Sequence, residues 1–454
     1  MAIAVVLLLL VIATLIFHLV SPMYGWWFTD IASNWGMIDT TVNITIIVTG
    51  IVFVAVNLFL IYCVLNFRHQ EGRRADYDPE NSKLESWLTV VTAVGVVAML
   101  APGLAVWGQF VNVPDNAAEF EAVGQQWHWT YRFPGEDGTF GNVDVRHMDV
   151  ANPFGMDPED PAGRDDVLVY NQTVHLPINQ PYKALLRSKD VLHDFAVPQF
   201  RVKMDLVPGM VTFAWFEPTR TGEFELLCEE LCGLAHFAMR GRVVVEERAD
   251  FERWLDAQPT YGELMARPEP SLTAGQAAFG VCAACHGPQG MGQQVLNAPK
   301  LAGLGAWYIE RQLGYFKNGV RGTTEGDTYG ATMAPMMATV PDQNAIRNIA
   351  AYIASLPDQP ADTTITGDVA RGGDLYTTCA ACHGANGEGN WAMNAPRLAG
   401  GSDWYLVTQL KNFQARVRGS HEGDSYGEQM GLMADILPDE QAINDVVAYI
   451  NTLR

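Results

Sequence analysis

The residues of this chain best suited to chemistry lie in the run Cys228-Glu229-Glu230-Leu231-Cys232-Gly233-Leu234-Ala235-His236-Phe237-Ala238-Met239. Two cysteines four apart, a histidine four further on and a methionine three beyond offer thiolate, imidazole and thioether ligands, a set suited to copper and poorly suited to magnesium or calcium. Upstream, Asp190-Val191-Leu192-His193 adds a second imidazole. A zinc ion or a reduced cysteine pair is the plainer reading, but structural zinc closes at four ligands, and two coppers bridged by both sulfurs would use every one of these side chains. Further on, Cys282-Ala283-Ala284-Cys285-His286 and Cys379-Ala380-Ala381-Cys382-His383 each carry the attachment signature of c-type haem, two thioether cysteines and a proximal histidine.

The two Cys-x-x-Cys-His motifs belong to a tandem duplication. Asn297-Ala298-Pro299 returns as Asn394-Ala395-Pro396, Trp307-Tyr308 as Trp404-Tyr405, and Met333/Met336 as Met430/Met433, each pair 97 residues apart. Two units point to two autonomous domains and not to a solenoid. A thioredoxin-type redox pair also has Cys-x-x-Cys, but needs neither the histidine nor the methionines downstream. Methionine is the expected second axial ligand, raising the potential relative to two histidines. The repeat removes Met337, whose counterpart is Ala434, and leaves Met333 or Met336 and Met430 or Met433. Amphipathic spacing predicts a helix closing each unit, over 344–356 and 441–453.

The elements that must position these groups begin in a membrane. Uncharged apolar stretches at 2–20, 43–67 and 87–110 each approach or exceed the roughly 20 residues needed to span a bilayer, so residues 1–113 read as an anchor of three transmembrane helices. The first stretch has a rival reading as a cleaved signal peptide, but lacks a basic start and a clear small-residue cleavage site; it is expected to be a retained helix. The cluster Arg68-His69-Gln70-Glu71-Gly72-Arg73-Arg74 lies between the second and third stretches, whereas 21–42 carries Asp30 and Asp39 and no Lys or Arg. The positive-inside bias therefore puts the N-terminus and 68–86 in the cytoplasm and everything after about 113 outside, the side on which haem is attached. Trp26, Trp27, Trp87 and Trp107 fall near span ends, where interfacial aromatics are expected.

The chain has 454 residues, enough for about three domains. Its net charge of −22, from 51 acidic and 29 basic residues, must reside outside the apolar anchor; it favours basic partners and argues against nucleic acid. Of the seven cysteines, two belong to the run suited to copper, four to the haem motifs, and Cys63 lies in an apolar stretch, so no disulfide framework is expected.

After Pro114 short β-rich runs at 167–170, 182–186, 211–216 and 242–245, separated by Gly, Pro and Asp, predict a Greek-key sandwich or barrel over 114–248. The alternating run 124–131 reads as a strand. The acidic loop 157–160 reads as solvated, and His128, His147 and His175 as ordinary surface or packed histidines. Residues 249–270, charged and bearing proline, read as a linker; 271–357 and 366–454 are the two haem domains.

The run from Cys228 to Met239, with His193, resembles the dinuclear copper (CuA) centre of cytochrome c oxidase subunit II, and the repeats resemble periplasmic dihaem cytochromes c. The resemblance spans nearly the whole chain. It implies a multidomain fold: N-terminal transmembrane helices, an all-β cupredoxin-like Greek-key domain, then two all-α cytochrome c domains. It implies copper ligands His193, Cys228, Cys232, His236 and Met239 with the carbonyl of Glu230, whose side chain would help hold a magnesium ion against subunit I. It implies Trp127 as the residue through which electrons reach copper. Met333 and Met430, each first in its Met-x-x-Met pair, are the implied axial ligands, with the carbonyls of Pro299 and Pro396 accepting from the proximal imidazoles. The chain departs from the family in a helix before the usual two, and in His128 where a tyrosine is usual. Glu85 stands near the implied mouth of a proton channel of subunit I, but Glu85-Ser86-Trp87 is one residue shorter than the usual spacing, and an acid in a first helical turn is accounted for by the helix dipole.

The function implied by the resemblance is that of an electron-input subunit of a terminal haem-copper oxidase in the bacterial inner membrane. It would take electrons from cytochrome c or a quinol-oxidising complex, pass them through two haems and copper to subunit I, and sit beside subunit III. Oxygen reduction and proton pumping would belong to subunit I. The alternatives are the input subunit of a copper-bearing nitric oxide reductase, and a membrane-anchored carrier with no catalytic partner.

Overall fold

The computed structural model describes residues 2–25, 27–74 and 79–453; the expectation for Trp26 lies outside them. Three helices, α1 (Ala2–Val20), α2 (Gly36–Asn66) and α3 (Ser82–Phe110), open the chain and are long and apolar enough to cross a membrane. α2 starts at Gly36 and not at 43, because Met37 and Ile38 of its first turn pack against the core of the domain beyond the anchor, and α3 starts at Ser82 and not at 87, because it begins with a polar first turn outside its apolar part. Asp39 sits in that turn of α2, and the Asn81 side chain caps α3 by accepting from Leu84 N at 3.1 Å. Glu85 is exposed in the first turn of α3.

The start of α2 and the end of α3 are bonded to the domain beyond them. Asp39 pairs with Arg201, Nε to Oδ1 at 2.6 Å and Nη2 to Oδ2 at 2.8 Å. Trp35 Nε1 donates to Trp215 O at 2.9 Å, and Trp215 Nε1 donates to Gln109 O at 3.1 Å. A bidentate ion pair and a pair of indole hydrogen bonds, both largely buried, fix the direction of the anchor against the domain.

That domain is a sandwich. Its strands are β1 (Ala118–Gln125), β2 (His128–Phe133), β3 (Val167–Val169), β4 (Thr173–Pro177), β5 (Tyr182–Ser188), β6 (His193–Val197), β7 (Val202–Leu206), β8 (Thr212–Phe216), β9 (Gly222–Leu227) and β10 (Arg240–Glu246). They form one sheet in the order β3-β2-β1-β5-β8 and another in the order β4-β10-β9-β6-β7. Phe120, Trp129, Phe195 and Phe216 meet between the sheets and are fully buried. The run 124–131, expected as one strand, is instead a hairpin: Gln125 pairs with His128, leaving Gln126 and Trp127 at the turn. Asp190 holds that turn by accepting from Gln126 N at 2.7 Å.

The segment 249–270 is not a free linker. It forms α4 (Arg248–Asp256) and α5 (Tyr261–Met265), whose few aromatic residues all face the sandwich. Phe251 joins the sandwich core, Trp254 stacks on His175 with centroids 4.4 Å apart, and Tyr261 is buried against Leu168 and Met156.

The two repeats are helical. The first contains α6 (Leu272–His286), α7 (Ala306–Lys317), α8 (Thr328–Met333) and α9 (Gln343–Ala354); the second contains α10 (Val369–His383), α11 (Asp403–Gln414), α12 (Ser425–Ala434) and α13 (Glu440–Ile450). In each, the motif-bearing helix crosses the closing helix at a glycine. A Cβ at Gly275 would lie 2.0 Å from Asn348 O, and one at Gly372 2.0 Å from Asp445 O, so only glycine permits this approach.

Asp403, at the start of α11, ties the inter-repeat connector to the second repeat. It accepts from Thr364 N at 2.6 Å, Ile365 N at 2.8 Å, Trp404 N at 2.7 Å and Asn451 Nδ2 at 3.0 Å. Burial works against its charge, but the donors outweigh it and hold the carboxyl below the usual aspartate range. Its stabilisation is therefore complete above the unfolded value of about 3.9 and is lost as pH falls through the lower folded value. Asp403→Ala is expected to cost the second repeat about 2 kcal/mol at neutral pH, with the deficit relative to the parent shrinking in acid; calorimetry across pH 2–7 checks both.

Candidate metal centre and paired cofactor cavity

The sandwich brings the soft ligands together at one end. β9 ends at Leu227 and delivers Cys228; β10 resumes at Arg240 after Met239; His193 opens β6, which pairs with β9. Cys228 and Cys232 have their sulfurs 3.7 Å apart. Cys228 Sγ lies 3.8 Å from His193 Nδ1 and 3.2 Å from Glu230 O, and Cys232 Sγ lies 3.4 Å from His236 Nδ1 and 3.8 Å from Met239 Sδ. All six groups expected from the sequence thus converge. Both cysteines, His193 and Met239 are buried.

The electrostatics of the sulfur pair test whether a metal fits. A hydrogen bond from Cys232 holds the Cys228 thiol below its usual range, and that same bond, with burial, pushes the Cys232 thiol up. Two thiolates this close repel one another, and a cation between the sulfurs relieves that repulsion. Two thiolates, two imidazoles, a thioether and a carbonyl fit a soft dinuclear copper site. A second layer of residues fixes the ligands: His193 Nε2 bonds Asp190 Oδ1 at 2.8 Å, leaving Nδ1 for metal. Burial disfavours the charged ring, yet Asp190 and Cys228 draw the His193 pKa upward. Gln126 Nε2 and Trp127 Nε1 both donate to Cys232 O, at 2.7 and 3.0 Å, and Gly233, at φ 121°, lies so close beneath Trp127 that a Cβ would sit 2.9 Å from the indole. Glu230 keeps its side chain half-buried at this edge.

Each Cys-x-x-Cys-His motif forms the last turn of its helix, α6 or α10. His286 Nδ1 donates to Pro299 O at 2.8 Å and His383 Nδ1 to Pro396 O at 2.7 Å. Burial lowers both imidazole pKa values, so each ring is neutral with Nε2 free to bind iron. One continuous cavity runs between the two motifs and is lined by all four candidate axial methionines. Met333 packs in the core of its own repeat, whereas Met336 is exposed and Met433 packs against the sandwich core.

Across this cavity the repeats grip one another reciprocally. Arg321 donates to Tyr405 Oη at 3.0 Å and Gln409 at 3.1 Å; its counterpart Arg418 donates to Tyr308 Oη at 3.2 Å and Gln312 at 3.0 Å. Both guanidinium groups line the cavity, and their Nε atoms are buried without a partner. Two buried cations with orphaned donors fit an anionic cofactor such as haem, whose carboxylates would satisfy them.

The second repeat also seals the hairpin that carries Trp127. Gln429 Nε2 donates to Trp127 O, Gln125 Nε2 donates to Ala392 O, and Tyr426 Oη donates to Tyr170 O at 3.2 Å. Arg242 and Glu428 pair across the same contact at 2.9 Å. Trp127 is 4% exposed. His128, expected as a surface or packed histidine, is packed at this junction: its Nε2 bonds Asn394 Nδ2 at 3.3 Å, its ring meets Tyr426 edge-on, and burial lowers its pKa to about 3. Asn394 in turn accepts from Arg311 of the first repeat at 2.7 Å. The copper loop itself reaches the cavity, because Ala235 is part of its lining. Glu85 does not join these groups; it lies at the opposite end of α3 from Gln109, which bonds the sandwich.

Sequence reasoning missed this junction and the crossed arginines. The signal for the arginines was present, since Arg321/Arg418 and Gln312/Gln409 share the 97-residue offset; the junction has no such signature, because its partners come from different folds.

A family model described as "Cytochrome C oxidase subunit II, periplasmic domain" matches residues 119–247, and one described as "Cytochrome c" matches 272–357 and 369–454. The chain is 57% identical over 267 residues to "Alternative cytochrome c oxidase subunit 2" of Bradyrhizobium diazoefficiens, covering 59% of this chain and 95% of the relative. It is 30% identical over 219 residues to "Cytochrome c oxidase subunit 2" of Cereibacter sphaeroides, covering 46% of this chain and 72% of the relative. Among solved structures, reduced recombinant cytochrome c4 from Pseudomonas stutzeri is 28% identical with a TM-score of 0.34, covering 41% of this chain and 100% of that one.

The two cytochrome c family matches imply haem c. Arg321→Gln removes a buried positive charge beside it, and is expected to lower the haem midpoint potential on the order of tens of millivolts; a spectroelectrochemical titration reads the shift.

Proposed function

The chain belongs to the cytochrome c oxidase subunit 2 family, and on that premise we propose how its residues pass electrons toward a terminal oxidase. It is the electron-input subunit of a haem-copper oxidase, an oxidoreductase complex containing subunit I, and it carries copper in a periplasmic domain and haem c in two cytochrome domains. When bound, these cofactors supply one-electron redox chemistry. The polypeptide supplies their position, their potential and the exclusion of water.

In this reading His193, Cys228, Cys232, His236, Met239 and the Glu230 carbonyl hold two coppers. Cys282, Cys285 and His286 hold one haem c and Cys379, Cys382 and His383 the other, with Met333 and Met430 as the sixth ligands. Packing of Met333 within its own repeat, against the exposure of Met336, favours that choice. Glu230 contributes a side chain to a magnesium ion shared with subunit I. Oxygen is reduced in subunit I with proton pumping, subunit III completes the complex, and a small cytochrome or a docked quinol-oxidising complex is the donor. The anchor lies in the bacterial inner membrane with its N-terminus in the cytoplasm, following the basic loop around Arg68–Arg74. Glu85 lies at the cytoplasmic end of α3, in position to pass protons to subunit I.

One observation carries the order of transfer. Ala381 and Cys382 of the second haem motif, with Met433, pack against the sandwich core, and Ala235 of the copper loop lines the cavity of that motif. The first repeat meets the second through Arg321 and Arg418. Contacts thus run from first repeat to second repeat to copper loop, and electrons follow them. Trp127, covered by the second repeat, serves this internal transfer rather than an external donor.

Assembly purified from native membranes and supplied with a reduced donor is expected to consume oxygen rapidly. Cys228→Ser is expected to cut uptake at least about a hundredfold while both haems stay reducible. Met333→Ala is expected to abolish the methionine–iron band of one haem and Met336→Ala to keep it. Turnover of nitric oxide without oxygen would reassign the partner, and a chain that purified alone and consumed neither would leave only a carrier.

A further inference from the structure

Five residues of the second repeat, Ala381, Cys382, Met393, Leu432 and Met433, pack on the copper domain. Their counterparts 97 residues earlier are Ala284, Cys285, Leu296, Pro335 and Met336, and every one of these is exposed. Among the described residues, nothing covers them. The same face of one fold is therefore buried in one copy and open in the other.

The open copy is also the more apolar. Where the buried face has Ala392 and Glu428, which bond the copper domain, the open face has Val295 and Ala331. Val295, which does not line the cavity, is 88% exposed, whereas Tyr329, Leu296 and Val281 belong to the cavity lining. The Tyr329 counterpart, Tyr426, is buried against His128 and Arg311. Of the five cations of the first repeat, Arg311 and Arg321 are engaged with the second repeat, Lys300 with Asp358 and Gly400 O, Lys317 with Val340 O, and Arg347 with Pro268 O. An exposed apolar patch of this kind marks a docking surface, and here the equivalent surface already docks a redox domain.

We propose that this face of the first repeat, centred on Val295 and Leu296 beside Cys285, is where an external one-electron carrier protein docks, and that it does so through apolar contact and not through the acidic charge of the chain. The proposal rests on the reading that both repeats bind haem c. A carrier that approaches here lies at the first haem motif as the copper domain lies at the second, so reduction begins in the first repeat and copper is reached only through both. Docking of this type is weakly sensitive to salt, in contrast with charge-steered association.

The test uses the intact oxidase complex and a soluble monohaem cytochrome c, reduced for kinetics and zinc-substituted for binding. Val295→Glu places an unpaired carboxylate in the contact without touching the haem cavity, and is expected to weaken binding and slow the bimolecular reduction about tenfold or more. Leu272→Glu, at the other end of α6, is expected to change neither. Oxygen uptake driven by ascorbate and a small diffusible mediator is expected to be equal in all three proteins; its absence in the parent would refute the oxidase reading and not the docking face. In the parent, binding is expected to vary less than about threefold between roughly 20 and 200 mM salt. The proposal fails if Val295→Glu binds as the parent does, if affinity falls steeply with salt, or if copper is reduced before haem. It fails equally if the parent complex self-associates and Val295→Glu releases it, since the face would then belong to a second copy.

Discussion

Two sulfurs 3.7 Å apart in a buried loop repel one another as anions unless a cation lies between them. That constraint governs the copper domain. The loop from Cys228 to Met239 needs two adjacent strands to clamp its ends, a third strand to present His193, and a turn to close over it. β9, β10, β6 and the Gln126–Trp127 hairpin turn meet those needs, and Asp190 serves two of them by accepting from both His193 and Gln126 N. The sandwich is thus a frame that holds one electrostatically demanding loop.

The cytochrome repeats solve a related problem with opposite sign. Arg321 and Arg418 are buried cations, each held by a tyrosine and a glutamine of the other repeat but left with an unpartnered Nε. Such groups are costly until an anion arrives. A cofactor with carboxylates removes that cost and at the same time locks the two repeats together, so loading and domain docking reinforce each other.

Much of this was legible in the sequence because chemistry that depends on spacing writes itself locally. The copper ligands and the haem motifs occupy short runs, and the offset of the repeat discarded Met337 without any structure. Helix ends were less legible, since hydropathy reports the membrane-spanning part of α2 and α3 but not the turns that precede it. The segment 249–270 read as a linker because its charges outnumber its aromatics, yet Phe251, Trp254 and Tyr261 all fall on the buried side. Tertiary position also decides where His128 packs: nothing in Trp127-His128-Trp129 indicates that a residue of the second repeat will bond it. Junctions between domains are recorded in no single stretch, and they are where the sequence was silent.

The contacts of the crossed arginines are reciprocal, residue i of one copy touching residue j of the other and the reverse, which is the pattern of a twofold dimer. Here the two halves of that pattern lie in a single polypeptide. In a true homodimer both haem faces would evolve as one, so a mutation that suited one partner would be imposed on the other. Fusion lets the copies differ: Glu428 answers Arg242, while its counterpart in the first repeat is Ala331. Symmetry at the centre and asymmetry at the two ends are how a tandem pair acquires direction, and no other part of the chain has to encode it.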